Sequence, residues 1–287
     1  MNGGTVTGWE LMKYSVSLGL GYYRRRAGKV FHREALRRIL TPINVSRCYE
    51  FRRTYELLMP RKNELVFDLS SPKLLSHFLS ERSGCRVVTA DINKQEVSDW
   101  KTLTGKRRKL PSWVIADGVN LGFKNDTFDK VYSISVLEHI PGEGDSRTMA
   151  ELARVLKPGG RLVITVPYAG KYRSECIEED VYNLHNGKRG TFHWSHFYDE
   201  PSLRKKLIES SGLALEGVYF GYGPGSALWK SIERMGRYGF PLWIFSTLVE
   251  KYGLREARFQ PALLEDDQFL AAVAVLKKEK KNEPSAA

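Results

Sequence analysis

Cysteine is scarce in this chain of 287 residues. Cys48, Cys85 and Cys176 form no CxxC pair and no framework spacing, which excludes a disulfide scaffold and indicates reduced thiols. No apolar run approaches the roughly 20 residues that span a bilayer. The N-terminal sequence also lacks the basic and apolar regions of a secretory signal. We therefore expect a cytoplasmic protein, and peripheral association with the inner face of a membrane stays open.

Several motifs that would define a function are also missing. The sequence has no GxGxxG, which argues against a nicotinamide-dependent dehydrogenase. His193 and His196 have a spacing that suits a metal, but no cysteine lies nearby and there is no HExxH, so we predict no metal site. Internal repeats and long low-complexity segments are absent.

Positive charge is abundant, with 45 Lys and Arg against 33 Asp and Glu and a net charge of +12. The basic clusters are Arg24–Arg26 with Lys29, and Lys106–Lys109. This excess is typical of proteins with acidic partners, such as nucleic acid, an anionic membrane surface or a phosphorylated substrate. A solvated basic surface explains it equally well.

From Glu64 onward, short apolar runs alternate with helical stretches. The strand-like runs are ELVFDL, RVVTAD, SWVIAD, DKVYSIS and RLVITV. After the fifth we expect a polar loop from Tyr168 to Asp199, a helix over Pro201–Ser211, and the strands LALEGVYFG and FLAAVAVLK. Alternating strands and helices predict a parallel sheet covered on both faces.

Composition divides the chain into four segments. Residues 1–60 mix helical, aromatic and basic character and are predicted to form an N-terminal helical extension, interrupted at Pro42. Residues 61–221 with 265–278 form the α/β domain. Residues 222–264 are a helical, aromatic insert, and 279–287 a flexible tail.

Acidic residues end three successive strands, at Asp68, Asp91 and Asp117-Gly118. Parallel sheets bind ligands beyond the carboxyl ends of their strands. A carboxylate there can accept from both hydroxyls of a ribose, although it can also be a helix N-cap.

The run from Glu64 to Pro167 resembles the class I S-adenosylmethionine-dependent methyltransferases, with a core like methyltransferase type 11. The matching elements are Phe128-Asp129, Leu137-Glu138-His139 and Leu156–Gly160. The resemblance implies a Rossmann-like parallel sheet with an antiparallel last strand. It departs from the family in the first turn, where the glycines of Asp-x-Gly-x-Gly-x-Gly are replaced by Ser70, Pro72 and Leu74.

The resemblance also implies the cofactor, S-adenosyl-L-methionine, and the residues that hold it. Asp68 and its turn would face the methionine part, Asp91 the ribose, and Asp117 the adenine amino group. The expected cofactor residues are Asp68, Ser70, Ser71, Asp91, Ile92, Asp117, Gly118, Ser135 and Val136. We expect Pro72 in the opening turn of the helix that follows.

Methyl transfer is an in-line displacement, for which an enzyme aligns the acceptor and removes its proton. The candidate bases are His139, His185, His193 and His196. The insert, with Gly236, Gly239 and Pro241 as breaks, is a candidate lid over a small-molecule or lipid-like acceptor, a membrane-facing segment, or ordinary core.

Three functions remain open at this stage. Methyl transfer to an O, N or C atom is the leading prediction. A catalytically silent scaffold is the alternative that the missing glycines raise. An RNA methyltransferase is the third, but no RNA-binding module and no Asn-Pro-Pro-Tyr-like element is recognisable, so nucleic acid is not a predicted partner. The sequence does not predict the oligomeric state.

Overall fold

The computed structural model describes residues 5–26, 30–105, 109–178, 180, 190–235, 240–258 and 269–280. Its α-helices are α1 (Gly8–Arg25), α2 (Arg33–Leu40), α3 (Val45–Leu58), α4 (Leu74–Phe78), α5 (Lys94–Thr104), α6 (Gly144–Val155), α7 (Glu200–Ser202), α8 (Pro224–Arg234) and α9 (Ser246–Leu248). Shorter helical turns cover Leu79–Ser83, Leu137–His139, Leu203–Ile208, Glu209–Ser211, Phe240–Phe245 and Val249–Gly253.

The described residues form ten strands, eight in one large sheet and two in a separate hairpin. The strands are β1 (Leu65–Leu69), β2 (Arg86–Asp91), β3 (Ser112–Ile115), β4 (Phe128–Ile134), β5 (Leu156–Val166), β6 (Arg173–Ile177), β7 (Phe192–Phe197), β8 (Ala214–Tyr222), β9 (Arg255–Ala257) and β10 (Phe269–Lys277). The order in the large sheet is β3-β2-β1-β4-β5-β10-β8-β9, and β6 pairs with β7 in a separate sheet.

Strand direction agrees with the predicted fold. The first five strands are parallel to one another, whereas β10 runs antiparallel to both β5 and β8. The chain order reverses between β1 and β4, which places the carboxyl ends of β1, β2 and β4 around one crevice. The Rossmann-like sheet with an antiparallel last strand is confirmed.

The sheet is buried on both faces. Successive residues of each strand point to opposite sides, and each side packs into a core of its own. Val66 lies in the core shared with α1, α3, α4 and α5, while the next residue, Phe67, lies in the core shared with α6 and Leu203–Ile208. The same alternation holds for Val163 and Ile164 of β5. This explains why the strands read as nearly continuous apolar runs.

Three N-terminal helices cover one face of the sheet. Thr7 and Glu10 form a capping box at the start of α1, and the Asn44 side chain caps α3. Pro42 lies between α2 and α3, where the sequence predicted a break. The last of these helices, α3, packs across β4, β5 and β10 and therefore approaches the strand ends.

Two local predictions were wrong. The segment predicted as a polar loop contains the β6–β7 hairpin, in which β6 is mostly polar and exposed and β7 combines two histidines with three aromatic residues. The insert is not wholly helical, since β9 pairs with β8 at the sheet edge. Lys29, residues 106–108, His185, Gly236, Gly239 and the tail from 281 lie outside the described residues.

Within the described ranges, no helix combines the length and apolar character that crossing a membrane requires. Cys48 and Cys85 are buried and Cys176 is exposed, and all three are free thiols.

Candidate functional site

The turn after β1 takes a left-handed conformation where the family has its first glycine. Ser70 has a φ of +48°, which glycine adopts at no steric cost and serine adopts rarely. The Ser70 N–H, at 2.8 Å, and the Ser70 hydroxyl both donate to the Ala90 carbonyl on β2. These bonds offset the strain and join the turn to the neighbouring strand.

Pro72 lies two residues ahead of α4, so its expected place in the opening helical turn was wrong by a short margin. The first helical bond runs from the His77 N–H to the Lys73 carbonyl, which makes Lys73 the N-cap residue. Proline lacks an N–H donor and is tolerated at this point. It remains at the carboxyl end of β1, as the motif alignment requires.

Asp68 is fully buried and engaged within the domain. Its carboxylate accepts from the Ser71 N–H at 3.2 Å, the Thr89 hydroxyl at 2.8 Å and the Ser76 hydroxyl. Burial raises the pKa of Asp68, and the Lys73 ammonium opposes this rise. The geometry therefore gives Asp68 a part in shaping the turn.

Asp91 ends β2 and is only 5% exposed. One carboxylate oxygen accepts from the Asn93 N–H at 2.8 Å, and the other lies 2.6 Å from Nζ of Lys73. Ile92, the next residue, is 46% exposed at the crevice. The sequence did not predict Lys73, because a lysine beside proline in a turn is usually solvated.

Asp117 and Gly118 follow β3. The exposed Asp117 carboxylate accepts from the Val119 N–H at 3.1 Å. A Cβ on Gly118 would lie 3.1 Å from the Thr148 methyl and 3.2 Å from Leu69 Cδ2. The backbone here comes close to its neighbours, which is the circumstance that favours glycine.

A carboxylate from the N-terminal extension reaches the ends of β4 and β5. Glu50 of α3 accepts from the hydroxyls of Ser135 and Thr165, both at 2.6 Å, and its other oxygen lies 2.6 Å from Arg47. Ser135 has a φ of +49° directly after β4, beside Val136. The extension is thus part of the site and not a separate appendage.

Glu138 is a buried carboxyl in the turn after β4. Burial raises its pKa to about 8, with a further increase from Glu50 and a decrease from Arg47. Its Oε2 accepts no hydrogen bond from any residue that the structure describes. A carboxyl with such a pKa exchanges protons near neutral pH, which is a property of catalytic acids and bases.

The β6–β7 hairpin brings three of the predicted histidines together. His193 Nε2 donates to the Glu138 carbonyl at 2.9 Å, and its ring centre is 4.3 Å from that of His196. His139 Nδ1 is 2.5 Å from the Trp194 carbonyl, so that nitrogen carries the hydrogen. Nε2 of His139, 3.8 Å from Glu138 Oε1, is then the nitrogen able to accept a proton.

Burial lowers the pKa of His139 and of His196, so both rings are neutral at neutral pH. His196 Nδ1 lies 3.0 Å from the Tyr172 hydroxyl. The fourth candidate, His185, lies outside the described residues.

The insert forms a second layer over α3. Trp229 is fully buried in a small core with Val45 and Ile232, while Phe245 is 50% exposed. Arg52 of α3 pairs with Glu250 at 2.8 Å, and Arg53 pairs with Glu256 at 2.9 Å. Trp229 therefore packs outside the two cores of the sheet, behind the helix that carries Glu50.

The residues at the strand ends fit S-adenosylmethionine, since the crevice combines a buried carboxylate, an exposed apolar side chain and a close-approach glycine. Asp91 would accept from the ribose hydroxyls, Ile92 would pack on the adenine, and Asp117 would accept from the adenine amino group. Ser135 and Val136 would lie beside the reacting sulfonium.

Comparison with known proteins finds matches to methyltransferases. Residues 71–164 match the model of the methyltransferase domain. The chain is 35% identical over 114 residues to a demethylmenaquinone methyltransferase of Corynebacterium efficiens, covering 39% of this chain and 46% of the relative. It is 42% identical over 86 residues to a sterol 24-C-methyltransferase of Eremothecium gossypii, covering 27% and 21%. The chain thus spans less than half the length of both relatives.

Among solved structures, phosphoethanolamine N-methyltransferase 2 of Haemonchus contortus, in complex with S-adenosylmethionine, shares the fold. The TM-score is 0.52 at 13% identity, with 81% of this chain and 53% of that chain covered. The predicted fold, family and cofactor agree with these matches. Residues 71–164 of this chain therefore match the methyltransferase domain in sequence, and the chain shares its fold with an S-adenosylmethionine-dependent methyltransferase.

Proposed function

We propose that the protein transfers a methyl group from S-adenosylmethionine to an O, N or C atom of a small, lipid-like acceptor. The observation that carries this proposal is the group that the buried Glu138 and His196 form with the partly buried His139 and His193 beyond the end of β4. It lies directly after Ser135 and Val136, which are the residues assigned to the reacting end of the cofactor.

When bound, the cofactor supplies an electrophilic methyl on a sulfonium. The chain has to position the acceptor and remove its proton. His139 suits this task, because the Trp194 carbonyl fixes its tautomer and Nε2 can accept the proton. Glu138 lies 3.8 Å from that nitrogen and, in the ionised form that it gains as the pH approaches 8, can take up the proton or stabilise the charged ring.

The surroundings favour an apolar acceptor. The insert, residues 222–264, is proposed here as a lid over the acceptor, and it exposes Leu242, Phe245 and Leu248. The two sequence relatives above are named for a menaquinone and a sterol, which supports the same class of acceptor. We assign residues 61–221 and 265–278 to the catalytic domain and 1–60 to a helical cap.

The test combines binding with turnover. Calorimetry should detect binding of S-adenosylhomocysteine to the wild type. Asp91→Ala should weaken this binding by about 1.5–3 kcal/mol, because charge-assisted hydrogen bonds to the ribose are lost. Asp99→Ala, an equivalent change on the exposed side of α5, serves as the control. With radiolabelled cofactor and a panel of quinols, phenols and sterols, His139→Gln should lower kcat roughly 10²–10⁴-fold and preserve binding.

A catalytically silent scaffold is the competing function, favoured by the residues that fill the glycine positions of the first turn. Failure of the wild type to bind the cofactor or its demethylated product at millimolar concentration would establish it. Binding without label transfer to any acceptor on the panel would count against the proposed acceptor class.

A further inference from the structure

Lys73 is a fully buried lysine in the middle of the altered turn. Its Nζ lies 2.6 Å from Asp91 Oδ2 and donates to the Ser71 carbonyl at 2.8 Å. The side chain therefore runs from the start of α4 across the end of β1 to the end of β2. Lysine is almost never fully buried unless it is paired, so the partners of Lys73 are what hold it in this position.

Three carboxyl groups share this ammonium. Besides its contact with Asp91, Lys73 opposes the rise that burial causes in the pKa of Asp68 and of Glu96. Asp91 in turn raises the pKa of Glu96, so the carboxylates repel one another. Lys73 is the counter-charge that lets these groups lie together beneath the crevice.

The residues of the turn differ from the glycines that the resemblance predicts. Pro72 has no N–H to donate, and Leu74 fills the third glycine position with a side chain in the core. Compared with a glycine-rich turn, this turn has one backbone N–H donor fewer and less room for a ligand to approach the backbone. A charged side chain occupies the turn instead.

We propose that Lys73 is a positioning residue that holds the Asp91 carboxylate in the orientation in which it accepts from the cofactor's ribose hydroxyls. A carboxylate offers about four lone-pair sites. The Asn93 N–H donates to one Asp91 oxygen and Lys73 donates to the other. Each of the two oxygens can therefore still accept a hydrogen bond from the ribose. Lys73 thereby compensates for the missing glycines. The inference rests on the proposed binding of S-adenosylmethionine.

Calorimetry with S-adenosylhomocysteine on the full chain tests this through four proteins: wild type, Lys73→Met, Asp91→Asn and the double variant. Lys73→Met should weaken binding by at least about tenfold, the loss expected for one charge-assisted interaction. Because Lys73 acts through Asp91, the double variant should bind no more weakly than Asp91→Asn alone. A purely structural role would add its own loss.

Lys101→Met, which removes an exposed lysine of α5, is the matched control and should bind as the wild type does. If Lys73→Met does not fold, Lys73→Gln removes the charge, keeps a polar head group and carries the same expectation. Unchanged or tighter binding by the Lys73 variant would overturn the proposal, since Lys73 would then be neutral or a competitor of the cofactor. Additive losses would overturn it too. A wild type that does not bind would instead overturn the proposed function, and this inference with it.

Discussion

Glu138 gives the site a pH dependence that can be measured on the protein without an acceptor. Its pKa is raised from 4.5 to about 8 by burial, so the folded state holds this proton more tightly than the unfolded state does. The contribution of Glu138 to stability is therefore fully present below about pH 4.5 and is lost as the pH rises through 8. Above that range the folded protein carries a buried carboxylate.

We expect Glu138→Gln to abolish this titration. From pH 5 to pH 9, the melting temperature of the wild type should fall relative to that of the variant, by roughly 2–4 °C for each kcal/mol lost. Thermal denaturation in a series of buffers measures this. Glu209→Gln, which changes an exposed glutamate, should keep the wild-type profile. Parallel profiles for Glu138→Gln and the wild type would show that Glu138 is ionised throughout.

The sequence could predict residues that lie at strand ends, because a strand and its terminal carboxylate are adjacent in the chain. Asp91 and Asp117 lie where the pattern placed them. Glu50 could not be found in this way. It is 85 positions from Ser135, its hydrogen-bond partner, and lies on a helix rich in charged residues that reads as a solvated face. Lys73 was missed for the same reason, since a charged residue gives no sign of burial without its partner.

At the scale of elements, the parallel strands were predictable because each carries its own apolar pattern. The β6–β7 hairpin was not, since β6 is mostly polar and exposed and β7 packs against the turn at Leu137–His139, which is distant in the sequence. This hairpin places His193 and His196 beside His139. Its place in the fold therefore determines the chemistry that the loop residues can perform.

The insert is a layer with its own small core, and Trp229 is the side chain on which that core depends. Trp229 is fully buried, contacts Val45 of α3, and donates to Glu233 at 2.6 Å. We expect Trp229→Ala to cost about 3–5 kcal/mol in the free energy of unfolding, as large-to-small changes in cores do. Denaturation in urea measures the loss.

Leu228→Ala is the matched control, because Leu228 is the adjacent residue on α8 and is 53% exposed. This substitution should change the free energy of unfolding only slightly. Equal losses for the two variants would mean that α8 does not pack as described, and the assignment of the insert as a layer over α3 would fail.

At the scale of the whole molecule, charge and exposed apolar area coincide near the insert. Phe245, Leu248 and Tyr252 are at least half exposed, and Trp9 of α1 is 53% exposed with Lys13 over its ring. The first helix contacts α9, the helix that carries Leu248. Aromatic and aliphatic side chains beside lysines are typical of surfaces that bind at a lipid interface.

A lipid-like acceptor would reach the site most directly from a membrane, so we predict that the protein binds anionic vesicles through this region. Vesicles containing phosphatidylserine should sediment the protein, and raised salt should release it, because the attraction of Lys13 and Lys251 for the surface is screened. Phe245→Ser with Leu248→Ser should reduce sedimentation without lowering the melting temperature, since both side chains are about half exposed. Leu215→Ser, which changes an exposed leucine on β8, is the control and should sediment as the wild type does. Sedimentation that persists in the double variant would place the contact elsewhere on the basic surface, and absence of binding by the wild type would mean that the acceptor arrives from solution.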